Sequence, residues 1–213
     1  MAKILITSGP TRQYLDPIRY LTNASSGLMG CGLAEAAIRL NHEVVIVSGP
    51  AEVDYPSQAT VIPVVSTEEM LAAAIEVFAS CDGLIGAAAP CDYRPRRIAS
   101  QKIAKTGEPL ALQLVETDDV VATLANEKKD RWVVGFALET QDVRLRALAK
   151  LERKCCDLMV SNHATAMRSQ TNHVEVLSPD GTVLARLSGP KQEVGQGILA
   201  VIQSKLVEPR AKT

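Results

Sequence analysis

Short apolar runs alternate with helix-period stretches along the chain, the pattern of βαβ units around a parallel sheet. Lys3-Ile4-Leu5-Ile6-Thr7-Ser8 reads as a first strand, broken by Gly9-Pro10-Thr11-Arg12. Met29, Leu33, Ala36, Ala37 and Leu40 then recur on one helical face, and Asn41-His42 ends that helix. Glu43 to Ser48 reads as a buried strand closed by Gly49-Pro50, and Thr60 to Val65 as a third, its Pro63 favouring an edge or a bulge. Thr67 is expected to cap a helix through Ser80, with Met70, Leu71, Ala74, Ile75 and Phe78 as its apolar stripe. Gly83 to Ala89 is a strand of small residues. Leu110 to Val115 reads as a strand and Asp118 to Lys128 as a helix. A core strand at Trp132 to Ala137, a helix from about Gln141 to Lys154 and a strand at Asp157 to Asn162 follow. Val174 to Leu177 and Val183 to Leu187, joined through Pro179-Asp180-Gly181, read as a hairpin before a last helix from about Lys191 to Leu206 and a frayed tail to Thr213.

From Pro90 to Pro109 the hydrophobic pattern lapses and Arg94, Arg96, Arg97, Lys102 and Lys105 accumulate, marking a long basic loop of the kind that is usually functional or mobile. In a doubly wound sheet the ligand sits beyond the C-terminal ends of the strands. Those ends carry Ser8-Gly9, Ser48-Gly49, Ala88-Ala89-Pro90, Phe136-Ala137 and Ser161-Asn162. Between the first strand and its helix runs Ser25-Ser26-Gly27-Leu28-Met29-Gly30-Cys31-Gly32. A helix start with free N–H groups and a positive dipole end attracts phosphate, and glycines let the backbone approach it. The first thirty residues therefore point to a nucleotide.

Composition narrows the class. A net charge of -1 gives no electrostatic argument for nucleic acid or an anionic membrane. No apolar run approaches the ~20 residues of a membrane span, and the N-terminus enters a strand at once, unlike a signal peptide. The five cysteines form no CxxC pair and the histidines show no metal-ligand spacing with them, so a reduced cytoplasmic enzyme is expected. A dinucleotide-dependent oxidoreductase fits poorly. The glycines at 27, 30 and 32 stand far from the strand and are not a G-x-G-x-x-G turn. The second strand ends in Ser48-Gly49-Pro50, without an acidic residue for the ribose, and the P-loop pattern is absent.

Several separated motifs, in order, resemble the phosphopantothenoylcysteine synthetases of coenzyme A biosynthesis. They are Thr7-Ser8-Gly9-Pro10-Thr11-Arg12, Leu15-Asp16-Pro17-Ile18-Arg19-Tyr20, Asn23-Ala24-Ser25-Ser26-Gly27 and Val47-Ser48-Gly49-Pro50. Further on come Ala87-Ala88-Ala89-Pro90-Cys91-Asp92-Tyr93, Lys102-Ile103-Ala104-Lys105, Val134-Gly135-Phe136-Ala137-Leu138-Glu139-Thr140 and Asp157-Leu158-Met159-Val160-Ser161-Asn162. The resemblance implies one synthetase domain over residues 1–213, a Rossmann-like doubly wound α/β fold with a parallel sheet. It further implies a basic active-site loop at about 90–109 and a hairpin or arm at about 172–188 for homodimerisation. In many bacteria this domain follows a flavin-dependent decarboxylase; this chain looks like a stand-alone form, with no flavin expected.

The chemistry so implied is ligation of 4'-phosphopantothenate to L-cysteine, driven by CTP with Mg2+ through an acyl-cytidylate. Asn23 matches the asparagine that handles the acyl-nucleotide, Arg19 a substrate-site arginine, and Lys102 the mobile-loop lysine, with Lys105 beside it. Ser26, Gly27 and Gly30 would meet phosphates, Ala88, Ala89 and Asp92 the base, and Phe136 and Asn162 the nucleotide, with Ala88 also near substrate. Without the motifs, Asn23 reads as a loop turn, Arg19 as a surface ion pair and Lys102 as a solvated charge. Leu28 and Ala104 replace common lysines, and Met167 to Thr171 show no counterpart of a usual glycine-phenylalanine element. A non-catalytic nucleotide-binding homologue is thus the alternative, and an NAD(P)-dependent oxidoreductase a lesser one. The sequence names no metal ligands.

Overall fold

In the computed structural model, which describes residues 1–163 and 171–209, the apolar runs pair into one eight-stranded sheet. The first half of the chain forms β1 (Lys3–Ser8), β2 (Arg12–Tyr14), β3 (Tyr20–Thr22), α1 (Leu28–Arg39), β4 (Glu43–Ser48), β5 (Thr60–Pro63), α2 (Thr67–Phe78) and β6 (Gly83–Gly86). The second half forms β7 (Tyr93–Pro95), β8 (Leu114–Glu116), α3 (Val120–Asn126), β9 (Trp132–Glu139), α4 (Val143–Arg153), β10 (Leu158–His163), β11 (Thr171–Leu177), β12 (Val183–Pro190) and α5 (Lys191–Ile202). A π-helical turn, Gln203–Val207, extends α5. The sheet order is β12-β11-β10-β9-β6-β1-β4-β5, parallel from β10 to β5.

Period-two alternation divides the strands between two cores. Ile4, Ile6, Ile46, Ile85, Trp132 and Val134 face α1 and α5, whereas Leu5, Val47, Leu84, Val133 and Met159 face α2, α3 and α4. Each such aliphatic side chain taken from water contributes roughly 1.5–3 kcal/mol. The small residues of β6 make room for large neighbours. A Cβ on Gly83 would stand 2.1 Å from the Trp132 ring, and one on Gly86 2.5 Å from Val121. β5 is an edge strand, as Pro63 implied.

The structure departs from the sequence pattern in several places. Of the expected strand Leu110 to Val115 only Leu114 and Val115 are in β8, because 110–113 are exposed and pair with no strand. Ser66, not Thr67, caps α2: its side chain accepts from Glu69 N–H at 3.1 Å, while Thr67 Oγ1 lies 2.8 Å from Thr11 Oγ1. The 172–188 hairpin is joined to the sheet: β11 pairs antiparallel with β10 and β12 with β11, so it continues the strand order. β2 and β3 pair with each other, as do β7 and β8. Three-residue strands carry too little alternation to announce themselves. The β7–β8 pair closes the base of the basic loop, helped by Arg96 N–H to Gln113 O at 2.9 Å and Thr117 N–H to Asp92 O at 2.9 Å. No helix among the described residues is long and apolar enough to cross a membrane. Residues 167–170 of the missing glycine-phenylalanine element, and the tail from 210 to 213, lie outside the described residues.

Candidate active site

The start of α1 lies against the tip of β1. Gly27, its N-cap, adopts φ +79°, a left-handed conformation that glycine takes without cost, and offers no side chain to the helix. Neither an acidic residue nor a side-chain cap occupies the first turn, so its N–H groups and dipole are open to an anion. A Cβ on Gly30 would come 2.1 Å from Ser8 Oγ, so only glycine permits this approach of helix to strand. Ser8 is held in turn: its hydroxyl donates to Gly27 O at 3.3 Å and receives Tyr55 O–H at 2.9 Å.

Facing this turn is the segment after β6. Ala89 N–H donates to Gly9 O at 2.9 Å, and Cys91 N–H donates to Thr11 Oγ1 at 2.8 Å. Asn23 ties the two sides together, its Nδ2 donating to Ala89 O at 3.2 Å and Pro90 O at 2.8 Å. Both amide hydrogens are thus engaged, and Oδ1 remains as an acceptor. Between these walls opens a cavity of about 390 Å³. Of the sequence-derived candidates, Asn23, Ser26, Gly27, Gly30, Ala88, Ala89, Asp92, Phe136 and Asn162 all line it. A second cavity, of about 420 Å³, shares Ala88, Asp92, Phe136 and Lys154 and runs on to Thr117 and Val120.

Arg19, Lys102 and Lys105 do not line either cavity. Arg19 instead pairs with Asp16 Oδ2 at 2.8 Å and donates to Ile103 O. Asp16 also accepts from the N–H groups of Ile18 (2.9 Å), Arg19 (2.8 Å) and Ile103 (3.1 Å). Burial alone would push the Asp16 carboxyl up, but these N–H donors and the guanidinium outweigh it and hold it at about 2. The Asp16–Arg19 pair therefore anchors the basic loop at Ile103, leaving Lys102 and Lys105 exposed on either side.

Three lysines that sequence reasoning missed do reach the first cavity: Lys150 and Lys154 from α4, and Lys191 from the start of α5. Lys150 pairs with Glu139 at 2.6 Å and Lys154 with Asp119 at 2.9 Å. Lys191 has no acidic partner among the described residues, and burial lowers its pKa from the ordinary lysine value. Spacing of four on α4 was the available signal for the first pair, since residues four apart share a helix face. Nothing local distinguishes Lys191. Leu28 lines the cavity where a cation is absent, and Lys150 and Lys154 bring positive charge to it from α4. Asn172 lines it too, 2% exposed, and its Oδ1, like that of Asn162, has no hydrogen-bond partner among the described residues.

Fold and cavity together define a doubly wound α/β protein with a cleft at the tips of its parallel strands, onto which the uncapped start of α1 opens. Within that class, the chain belongs to the family described as the DNA/pantothenate metabolism flavoprotein C-terminal domain, whose sequence profile matches residues 1–206. It is 39% identical over 183 residues to the coenzyme A biosynthesis bifunctional protein CoaBC of Bacillus subtilis (strain 168), covering 84% of this chain and 45% of that protein. The crystal structure of the C-terminal domain of a coenzyme A biosynthesis bifunctional protein CoaBC superposes with a TM-score of 0.82 at 37% identity, covering 96% of this chain and 95% of that one. A Cab2 mutant in complex with phosphopantothenate-cysteine shares the fold, with a TM-score of 0.78 at 17% identity over 99% of this chain and 88% of that one. The chain spans about half the length of the curated relatives it matches.

Proposed function

We propose that this chain joins 4'-phosphopantothenate to L-cysteine, with CTP as the activating nucleotide. The observation that carries this reading is the cavity itself, where the uncapped start of α1 faces the lysines of α4 and Asn23 across the strand tips. The family and the CoaBC relatives support the same chemistry.

The substrate carboxylate oxygen attacks the α-phosphorus, forming a P–O bond while the bond to pyrophosphate breaks. The cysteine amine, having lost one proton to solvent, then attacks the acyl carbon. A C–N bond forms, the acyl C–O bond to phosphate breaks, CMP leaves and a second proton is released. The open N–H groups of α1, with Lys150 and Lys154, complement charge on the triphosphate. The second cavity, beside Asp92 and Phe136, is the place for the base. Asn23 holds the acyl group by giving it one of the amide hydrogens now shared with Ala89 and Pro90. The Asp16–Arg19 anchor sets where Lys102 and Lys105 can reach.

Magnesium fits as a companion of the nucleotide. No group of three His, Cys, Asp or Glu side chains capable of holding an ion occurs among the described residues, and magnesium needs only one or two carboxylates beside phosphate and water. Asp92, which lines both cavities, would be the carboxylate to hold it, and the ion would neutralise phosphate charge.

Pyrophosphate release, measured with 4'-phosphopantothenate, magnesium and CTP or ATP, tests the reading. Release should depend on phosphopantothenate and favour CTP, with product forming when L-cysteine is added. Asn23→Asp should still release pyrophosphate but stall before amide formation, because a carboxylate cannot donate to the acyl oxygen. Absence of release from folded protein, with nucleotide still bound, would make the chain a non-catalytic homologue.

A further inference from the structure

Asn162 and Val174 are paired across β10 and β11, and Asn172 lies two residues before Val174. Strand alternation puts all three side chains on one face of the sheet, and Val174 belongs to the core beneath α5. Asn172 is paired across β11 and β12 with Gly189, two residues before Lys191 opens α5. The close packing of α5 on α1 fixes that start: a Cβ on Gly32 would meet Lys191 O at 3.2 Å, and one on Gly195 would meet Gly32 C at 3.0 Å. Thus two amide oxygens and one lysine, each without a hydrogen-bond or acidic partner among the described residues, line one cavity from adjoining strands and the helix that follows them, on the opposite face of the sheet from α4 with Lys150 and Lys154.

An acceptor buried to 2% exposure without a donor signals a ligand that brings one. A polyphosphate carries only acceptors near neutral pH and leaves both amide oxygens unpaired. A zwitterionic amino acid carries a carboxylate and an ammonium one carbon apart, and so complements a lone cation beside two neutral acceptors. We propose that Lys191, Asn172 and Asn162 form the subsite for the incoming L-cysteine, with its carboxylate on Lys191 and its ammonium on the two amide oxygens. This rests on the ligase reading above and adds the place and the specificity of its amino-acid substrate. Amides are not bases, so the subsite holds and orients the amine; the proton that must leave before attack goes to solvent. Asn23 and Ala89, where the acyl group would lie, line the same cavity.

The test compares L-cysteine with cysteamine, which lacks the carboxylate, on the full chain. The wild type should favour L-cysteine, and Lys191→Met should reduce that preference at least tenfold by raising the KM for cysteine alone. Pyrophosphate release without amino acid should persist, and Lys191→Arg should restore most of the preference. An unchanged preference in Lys191→Met, with release intact, would overturn this subsite and leave the ligase reading standing. Lost pyrophosphate release in Lys191→Met, with a raised KM for CTP, would assign the lysine to phosphate and equally overturn it. No release from the wild type would overturn both.

Discussion

Asp16 is a side chain that reaches the site only through others. Its carboxylate gathers three backbone N–H groups and a guanidinium, and one of these contacts, from Ile103 N–H, joins residues 87 positions apart in the chain. Because its folded pKa of about 2 lies below the usual carboxylate value, its contribution to stability is complete above roughly pH 4 and drains away as pH falls toward 2. At neutral pH, Asp16→Asn removes the charge that holds Arg19 and one acceptor from Ile103. The basic loop should then open more often, and trypsin should cut at Lys102 and Lys105 faster than in the wild type, with the rest of the chain resistant. Equal cleavage rates would show that the anchor does not restrain the loop.

Among the elements, α2 shows how a one-residue error in a cap arises. Ser66 and Thr67 are both good caps on their own. Tertiary partners decide between them, since Thr67 is drawn into the buried network of Thr11 and Cys91 O. Glu69 completes the end by accepting Val65 N–H at 2.7 Å, a near relative of the capping box. Ser66→Ala should therefore cost about 1 kcal/mol, read as a lower urea midpoint with an unchanged slope. Thr67→Ala should cost more, because it also strips partners from buried groups. The start of α1 is the opposite case: no side chain caps it, and that vacancy is what opens its N–H groups to the cleft.

On the scale of the molecule, the N-terminus and the last helix are joined through one imidazole. Ala2 N–H donates to His42 Nδ1 at 3.0 Å, and Nε2 lies 2.9 Å from Gln203 Oε1 across 161 positions of sequence. This arrangement requires a neutral ring with its proton on Nε2. Burial lowers the pKa, and the Gln203 bond offsets only part of that. A depressed folded pKa means that the unfolded chain binds the proton first, so this stability is complete above about pH 6.5 and is lost as pH falls below it. Melting temperatures taken from roughly pH 8 down to 5.5 should decline, and His42→Leu should flatten the decline. An identical slope in that variant would place the pH dependence elsewhere.

What the sequence determined by itself was local and periodic. Runs of β-branched residues, helical stripes and turn residues marked the six parallel strands and five helices, because one-dimensional spacing is what burial against a sheet imposes. The glycine-rich start of α1 and the small residues after β6 marked the cleft walls, because close approach leaves a compositional trace. Tertiary structure alone decided which charges meet there. Arg19 and Lys102 stand in motifs yet fall outside the cavity lining, whereas Lys191 and Asn172 stand in none and reach it through the packing of α5 on α1 and the register of β11. Pairing energies between distant side chains leave no period in a sequence, so only the folded chain could bring them together.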